Sequence, residues 1–107
     1  MKIGKILKIL RTSKGLTQNQ MSKLLGISQN YLSLIEQDKK APSAEAIDNF
    51  ASSLRMSKDA LLLISSEVPV ELTGKDKEDF QRLQQNILSL LLYQTSGELP
   101  TSAQSLF

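Results

Sequence analysis

Apolar residues along this chain recur every three or four positions in short segments, a period that predicts helices rather than strands. The first segment places lysines between the members of its apolar stripe, which is formed by Ile3, Ile6, Leu7 and Leu10. Four more segments before residue 66 repeat the period, and glycine, proline or a capping serine or threonine separates them. We therefore predict an all-α fold with helices at about 2–14, 17–25, 28–37, 43–54 and 57–64.

The second and third of these helices are joined by a tight turn. Thr17 and Gln20 have the spacing of a capping box at the start of the second helix. Gly26 ends that helix, because a turn there requires a positive φ that glycine adopts at little cost. Ser28 then caps the third helix, which turns its apolar residues inward. The polar residues on its outward face are Gln29, Asn30 and Ser33.

A last helix is predicted after an extended segment that contains Pro69. Its second half is apolar around most of its circumference, which leaves two interpretations. The helix folds back onto the first five helices, or it packs against a second copy of the chain. We favour a homodimer with contacts from Phe80, Leu83, Ile87, Leu90 and Leu91. The predicted organisation is a helical domain at 1–66, a linker at 67–75, a C-terminal helix at 76–95 and a flexible tail at 96–107.

The residue types that are missing from the composition exclude several kinds of functional site. The 107 residues include no cysteine and no histidine, which excludes disulfides and thiolate metal sites and removes the commonest general base. No apolar run approaches the roughly 18 residues that span a bilayer, and the N-terminus lacks the apolar core of a signal peptide. We therefore expect a cytoplasmic protein that is not an enzyme and has no metal and no cofactor.

Charge is distributed unevenly along the chain. The net charge is +2, but residues 1–66 contain ten basic and five acidic residues, whereas residues 67–107 contain three basic and six acidic ones. This distribution favours contact of a nucleic acid with the basic residues 1–66 and not with the acidic residues 67–107.

The residue order L-T-Q…M-S-K-L-L-G-I-S…Y-L-S-L-I-E…P-S resembles the phage-repressor (Cro/CI, or XRE-type) helix-turn-helix domain over about residues 3–64. One departure is Ser22, where the family usually has alanine, although serine is small enough to fit. The resemblance implies a five-helix lambda-repressor-like fold followed here by a C-terminal helix. It also implies a sequence-specific DNA-binding transcriptional regulator. The residues that sit at the family's spacing are Gln18, Gly26, Ile27, Leu32 and Ile35.

The resemblance places base contacts at Gln29, Asn30 and Leu34. Gln and Asn side chains can pair bidentately with adenine, Ser33 can donate or accept a hydrogen bond, and Leu34 could only meet a thymine methyl group. Other contacts would hold phosphates and fix the register without reading sequence. The further candidates for DNA binding are Thr17, Gln18, Ser28, Tyr31, Lys39 and Lys40.

The resemblance also implies a structural ion pair between Arg11 and Glu36, which would tie the first helix to the end of the third. We expect a dimeric repressor that binds a palindromic double-stranded operator, and a protein antagonist is one possible means of control. Two alternatives remain open at this point. One is a DNA-binding antitoxin whose C-terminal segment binds a partner toxin, and the other is a module that binds only proteins.

Overall fold

Six helices span the described part of the chain, residues 1–96 of a computed structural model, and no strand lies between them. Each helix forms where the sequence predicts one, with ends that differ by one or two residues. The helices are α1 (Ile3–Ser13), α2 (Gln18–Leu25), α3 (Gln29–Glu36), α4 (Ala44–Leu54), α5 (Lys58–Ser65) and α6 (Gly74–Ser96). The predicted tail at 96–107 lies outside the described residues except for Ser96.

The core is built mainly from aliphatic side chains around α1. Ile6, Leu7 and Leu10 of α1 are fully buried. Helices α3 and α6 both pack against α1, while α4 bridges α2 and α5. Because the three-residue and four-residue spacing puts one apolar face on each helix, a single interior can bury all of these faces. The buried apolar residues from the other helices are Met21, Leu25, Leu32, Ile35, Phe50, Ala51, Leu54, Leu61, Ile64, Leu88 and Leu91.

Gly4 allows α1 to approach the end of α3 more closely than any other residue type would. A Cβ atom at this position would overlap the carbonyl oxygen of Ile35 and crowd the Cα atom of Glu36. Glycine in a helix interior normally costs about 0.5–1 kcal/mol relative to alanine. Here the missing side chain is what sets the distance between the two helices.

Helix α6 folds back onto the first five helices and shares their core. Its inner face contributes Leu88 and Leu91, which are 8% and 4% exposed. The side chain of Gln84 adds a polar attachment, because Nε2 donates to the carbonyl oxygens of Leu63 and Ser66, each at 2.9 Å. These carbonyls lie at the end of α5, where a helix leaves its last acceptors without intrahelical donors. Residues 67–73 therefore connect α6 to the same interior rather than separating two units.

One residue predicted for the dimer contact lies in the core. Leu91 is covered by its own chain. The sequence shows an apolar surface on most sides of α6 without showing which side faces the core. Phe80, Ile87 and Leu90 are half-buried and Leu83 is 48% exposed.

Candidate nucleic-acid interface

Helix caps fix the positions of α2 and α3. The Oγ1 atom of Thr17 accepts from the Gln20 amide at 3.1 Å, and the Gln20 side chain accepts from the Thr17 amide at 2.9 Å, so the predicted capping box forms. Gly26 ends α2 with φ of 72°, in the left-handed region. Ser28 then caps α3 by accepting from the Tyr31 amide at 3.0 Å. Capping hydrogen bonds at the start of each helix, together with the left-handed conformation of Gly26, thus fix the geometry of the turn between them.

The outward face of α3 begins with two exposed amide side chains, Gln29 and Asn30. Further along the helix, Ser33 and Leu34 are half-buried. The Ser33 hydroxyl oxygen accepts a hydrogen bond from Gln37 Nε2 at 2.7 Å, which leaves its O–H free to donate. The strongest candidates for contact with another molecule therefore lie in the first turn of α3.

The start of α2 presents backbone donors beside this face. Met21 is the first residue of the helix whose amide bonds back to Thr17. The amides of Gln18 and Asn19 precede it, at the end of the helix where the dipole favours an anion. Thr17 is exposed, so this helix start is open to solvent.

The side chain of Gln18 has a partner within the protein. One N–H of its Nε2 atom donates to Glu36 Oε1 at 3.2 Å, which leaves the second N–H of this group for another acceptor. Sequence reasoning missed this because Gln18 and Glu36 come together only when α2 crosses the end of α3.

Glu36 is the centre of the predicted ion pair with Arg11, which forms in the structure. Arg11 Nε lies 2.8 Å from Oε2, and Nη2 lies 3.0 Å from Oε1, so the contact is bidentate. The side chains are 13% and 3% exposed. Arg11 also donates to the Leu16 carbonyl at 3.0 Å. The end of α3 is thereby held to α1 and to the segment before α2.

Two exposed lysines follow α3. The backbone amides of Lys39 and Lys40 both donate to the Leu34 carbonyl, at 2.8 and 3.3 Å, which closes the end of the helix. Asp38 adopts a positive φ of 60° to permit this turn. The Lys40 ammonium lies 6.0 Å from the centre of the Tyr31 ring, at the outer limit of a cation–π contact. Tyr31 itself is half-buried.

Carboxylates close to this end of α3 are matched by cations. Glu36 is paired with Arg11, and Asp38 lies 3.3 Å from the Lys2 ammonium. Both carboxylates are therefore neutralised. The positive charges of Lys39 and Lys40 have no unpaired acidic residue beside them in α3 or in the turn after it. The local field is therefore favourable to a polyanion.

Sequence reasoning also missed Asn19. Its Nδ2 atom donates to the side-chain oxygen of Gln29 at 3.3 Å, which joins the first turns of α2 and α3. The sequence places Asn19 on the exposed side of α2, but the contact depends on how the two helices cross.

Acidic residues do not gather in metal-binding groups within residues 1–96, and no helix there is long and apolar enough to cross a membrane.

Comparison with known proteins agrees with this geometry. Residues 7–61, more than half of the chain, match the helix-turn-helix family. The chain belongs to the phage-repressor-like helix-turn-helix family. It is thus a DNA-binding transcriptional regulator of the XRE type.

Two relatives of this helix-turn-helix regulator come from Bacillus phage phi105. The ImmF control region 10 kDa protein is 34% identical over 76 residues, which are 71% of this chain and 83% of the relative. The Immunity repressor protein is 27% identical over 90 residues, which are 81% of this chain and 62% of the relative. No solved structure matches the regulator significantly.

Proposed function

We propose that this regulator is a dimeric transcriptional repressor that inserts α3 into the major groove of a palindromic operator. The observation that carries the proposal is the exposed first turn of α3, where Gln29 and Asn30 extend from a rigidly capped helix. Both side chains carry a donor and an acceptor, the combination that reads adenine in the major groove. One of the relatives is named an immunity repressor, which supports repression as the direction of control.

Groups around α3 are suited to holding the DNA backbone on either side of these base contacts. Thr17 and the open amides of α2 form one anion-binding position. Lys39 and Lys40 form another beyond the end of α3. Tyr31 and Ser28 supply hydroxyl groups for further phosphate contacts. Such contacts position the protein and give affinity that depends on salt, whereas α3 supplies the sequence preference.

The dimer is supported by a second face of α6. Phe80, Leu83, Ile87 and Leu90 follow a three-residue and four-residue spacing beside the buried face of the helix, and Ile87 at the edge of this stripe also packs against the core. A stripe of this kind suits packing against the same stripe of a second copy around a two-fold axis. Two copies would then place their α3 helices about 34 Å apart, one turn of DNA.

Binding to duplexes selected from random DNA tests the proposal. The protein is expected to select a sequence with two-fold symmetry, and its affinity for that sequence is expected to fall steeply as salt rises. Placed over a promoter, the selected sequence is expected to reduce transcription when the protein is added. Binding of equal strength to all duplexes, or no dependence on salt, would contradict the proposal.

A further inference from the structure

A cleft lies between α6, the end of α5 and the first residue of the chain. Its volume is about 340 Å³, and it is lined by Met1, Ile64, Gln81, Gln84, Gln85 and Leu88. This volume is at the lower end of the range for small-molecule sites, about 300–1,000 Å³. Because three of the lining side chains end in primary amides, we call it the amide cleft.

The inner line of α6 changes from apolar to polar at this cleft. Positions 81, 84, 88 and 91 follow a three-residue and four-residue spacing, so they share one face of the helix. Leu88 and Leu91 close the core in the second half of α6, whereas glutamines continue the same line in the first half. Ile64 and Leu88, which are 2% and 8% exposed, form an apolar floor below the amides.

One of the three amides has a fixed orientation. Gln84 Nε2 donates to the carbonyl oxygens of Leu63 and Ser66, each at 2.9 Å. An amide oxygen in its place could not bond to either carbonyl, so this side chain cannot be reversed. Its Oε1 atom is therefore a fixed acceptor. Gln81 and Gln85 are exposed, and each can turn to offer a donor or an acceptor.

The lining of the amide cleft selects against charged ligands. Of the six residues that line it, none has a charged side chain. A charged group that enters loses hydration and gains no counter-ion. A ligand with neighbouring N–H and C=O groups at its edge pairs with the amides, and a flat apolar face covers Ile64 and Leu88. Nucleobases and nucleosides have both properties.

We propose that the amide cleft binds a small uncharged ligand of the nucleobase or nucleoside class, and that the bound ligand fastens α6 to α5. The site requires both helices, because Ile64 belongs to α5 and the three amides belong to α6. A ligand that binds only when α6 is docked stabilises the docked helix by mass action. The site is separate from α3 and does not depend on the proposed contact with DNA.

Titration of the full-length protein with nucleosides tests the proposal. The probes are adenosine, guanosine, cytidine and uridine, each compared with its 5′-monophosphate. At least one nucleoside is expected to shift the side-chain amide NMR signals of the three cleft glutamines, to raise the melting temperature and to slow amide hydrogen exchange in α6. Its monophosphate is expected to bind no more tightly.

Removing the two exposed amides separates this site from binding elsewhere. The Gln81→Ala/Gln85→Ala variant is expected to bind the nucleoside about tenfold more weakly or worse, as for the loss of two hydrogen bonds. Its melting temperature without ligand is expected to stay unchanged, because both side chains are exposed. Asn49→Ala removes an exposed amide from α4 and serves as the matched control.

A second variant places a cation in the cleft. In Gln85→Lys the ammonium can pair with a phosphate, so the monophosphate is expected to bind more tightly than the nucleoside. Absence of nucleoside binding, equal binding by the double alanine variant, or signal shifts confined to α3 would overturn the inference and leave the proposed function standing. A protein that binds the nucleoside in the cleft but does not select among DNA duplexes would contradict the proposed function alone.

Discussion

Arg11 and Glu36 show how a single pair of side chains connects the framework of this protein to its recognition helix. The two residues are 25 positions apart in sequence, yet their side chains form a bidentate contact that is nearly closed to solvent. Resemblance to a family predicted the pair, whereas charge patterning alone could not have matched these two residues. Gln18 also bonds to Glu36, and nothing in the sequence shows this third partner.

Removing one member of this pair is expected to be costly. Arg11→Met leaves the Glu36 carboxylate buried without its cation, which should lower the free energy of unfolding by about 3–5 kcal/mol. Lys2→Met removes an exposed ion pair with Asp38 and should change the free energy of unfolding by less than about 1 kcal/mol. Denaturant unfolding of both variants measures the difference. Equal effects would show that the Arg11 contact has no special role in stability.

Gly4 gives a second prediction at the residue scale. Gly4→Ala would normally favour a helix, but here the new methyl group meets the Ile35 carbonyl, so α1 has to move away from α3. We expect the free energy of unfolding to fall by about 1–3 kcal/mol, as in overpacked interiors. Lys5→Ala changes the next, exposed position of the same helix and serves as the control. A stabilised Gly4→Ala protein would contradict the close approach.

At the scale of whole elements, local chemistry was enough to place the helices. Thr17, Gly26 and Ser28 define the ends of α2 and α3 through bonds to residues only a few positions away, which a sequence displays directly. Contacts between helices depend on crossing geometry and could not be predicted in the same way. Examples are Asn19 with Gln29, Gln18 with Glu36, and Gln84 with the end of α5.

The attachment of α6 to α5 can be tested through Gln84. Gln84→Ala removes two hydrogen bonds to carbonyls at the end of α5, which should lower stability by about 1–2 kcal/mol. Amide hydrogen exchange in α6 should become faster, because fewer contacts then hold this helix to the core. Gln85→Ala, one position further along and exposed, should leave both quantities unchanged. Unaltered exchange in the Gln84 variant would mean that Leu88 and Leu91 hold α6 without help.

At the scale of the whole molecule, the sequence offered two roles for α6, and the structure shows the first of them on one face of the helix. The face with Leu88 and Leu91 completes the core, as the first interpretation required. The adjacent face with Leu83 remains the proposed contact with a second copy. Binary patterning could not separate the two faces, because both are apolar and together they cover most of the second half of the helix.

Placing a charge on each side of α6 tests this division. Leu83→Asp puts an unpaired carboxylate on the proposed dimer contact, so the protein should remain folded and sediment as a monomer. Gln85→Asp introduces the same charge elsewhere on the helix and should leave the dimer intact. Sedimentation equilibrium gives the masses, and circular dichroism checks the fold. A Leu83→Asp protein that keeps the dimer mass would place the interface elsewhere.

The most direct test of the account concerns the outward face of α3. Binding of the wild-type protein and of the Gln29→Ala/Asn30→Ala variant should be measured against the selected duplex and each of its single-base changes, at several salt concentrations. The account predicts that the variant loses discrimination at the contacted base pairs, at about 1–3 kcal/mol for each lost bidentate contact, and keeps the same dependence on salt. A variant that ranks all duplexes as the wild type does would show that another surface reads the DNA.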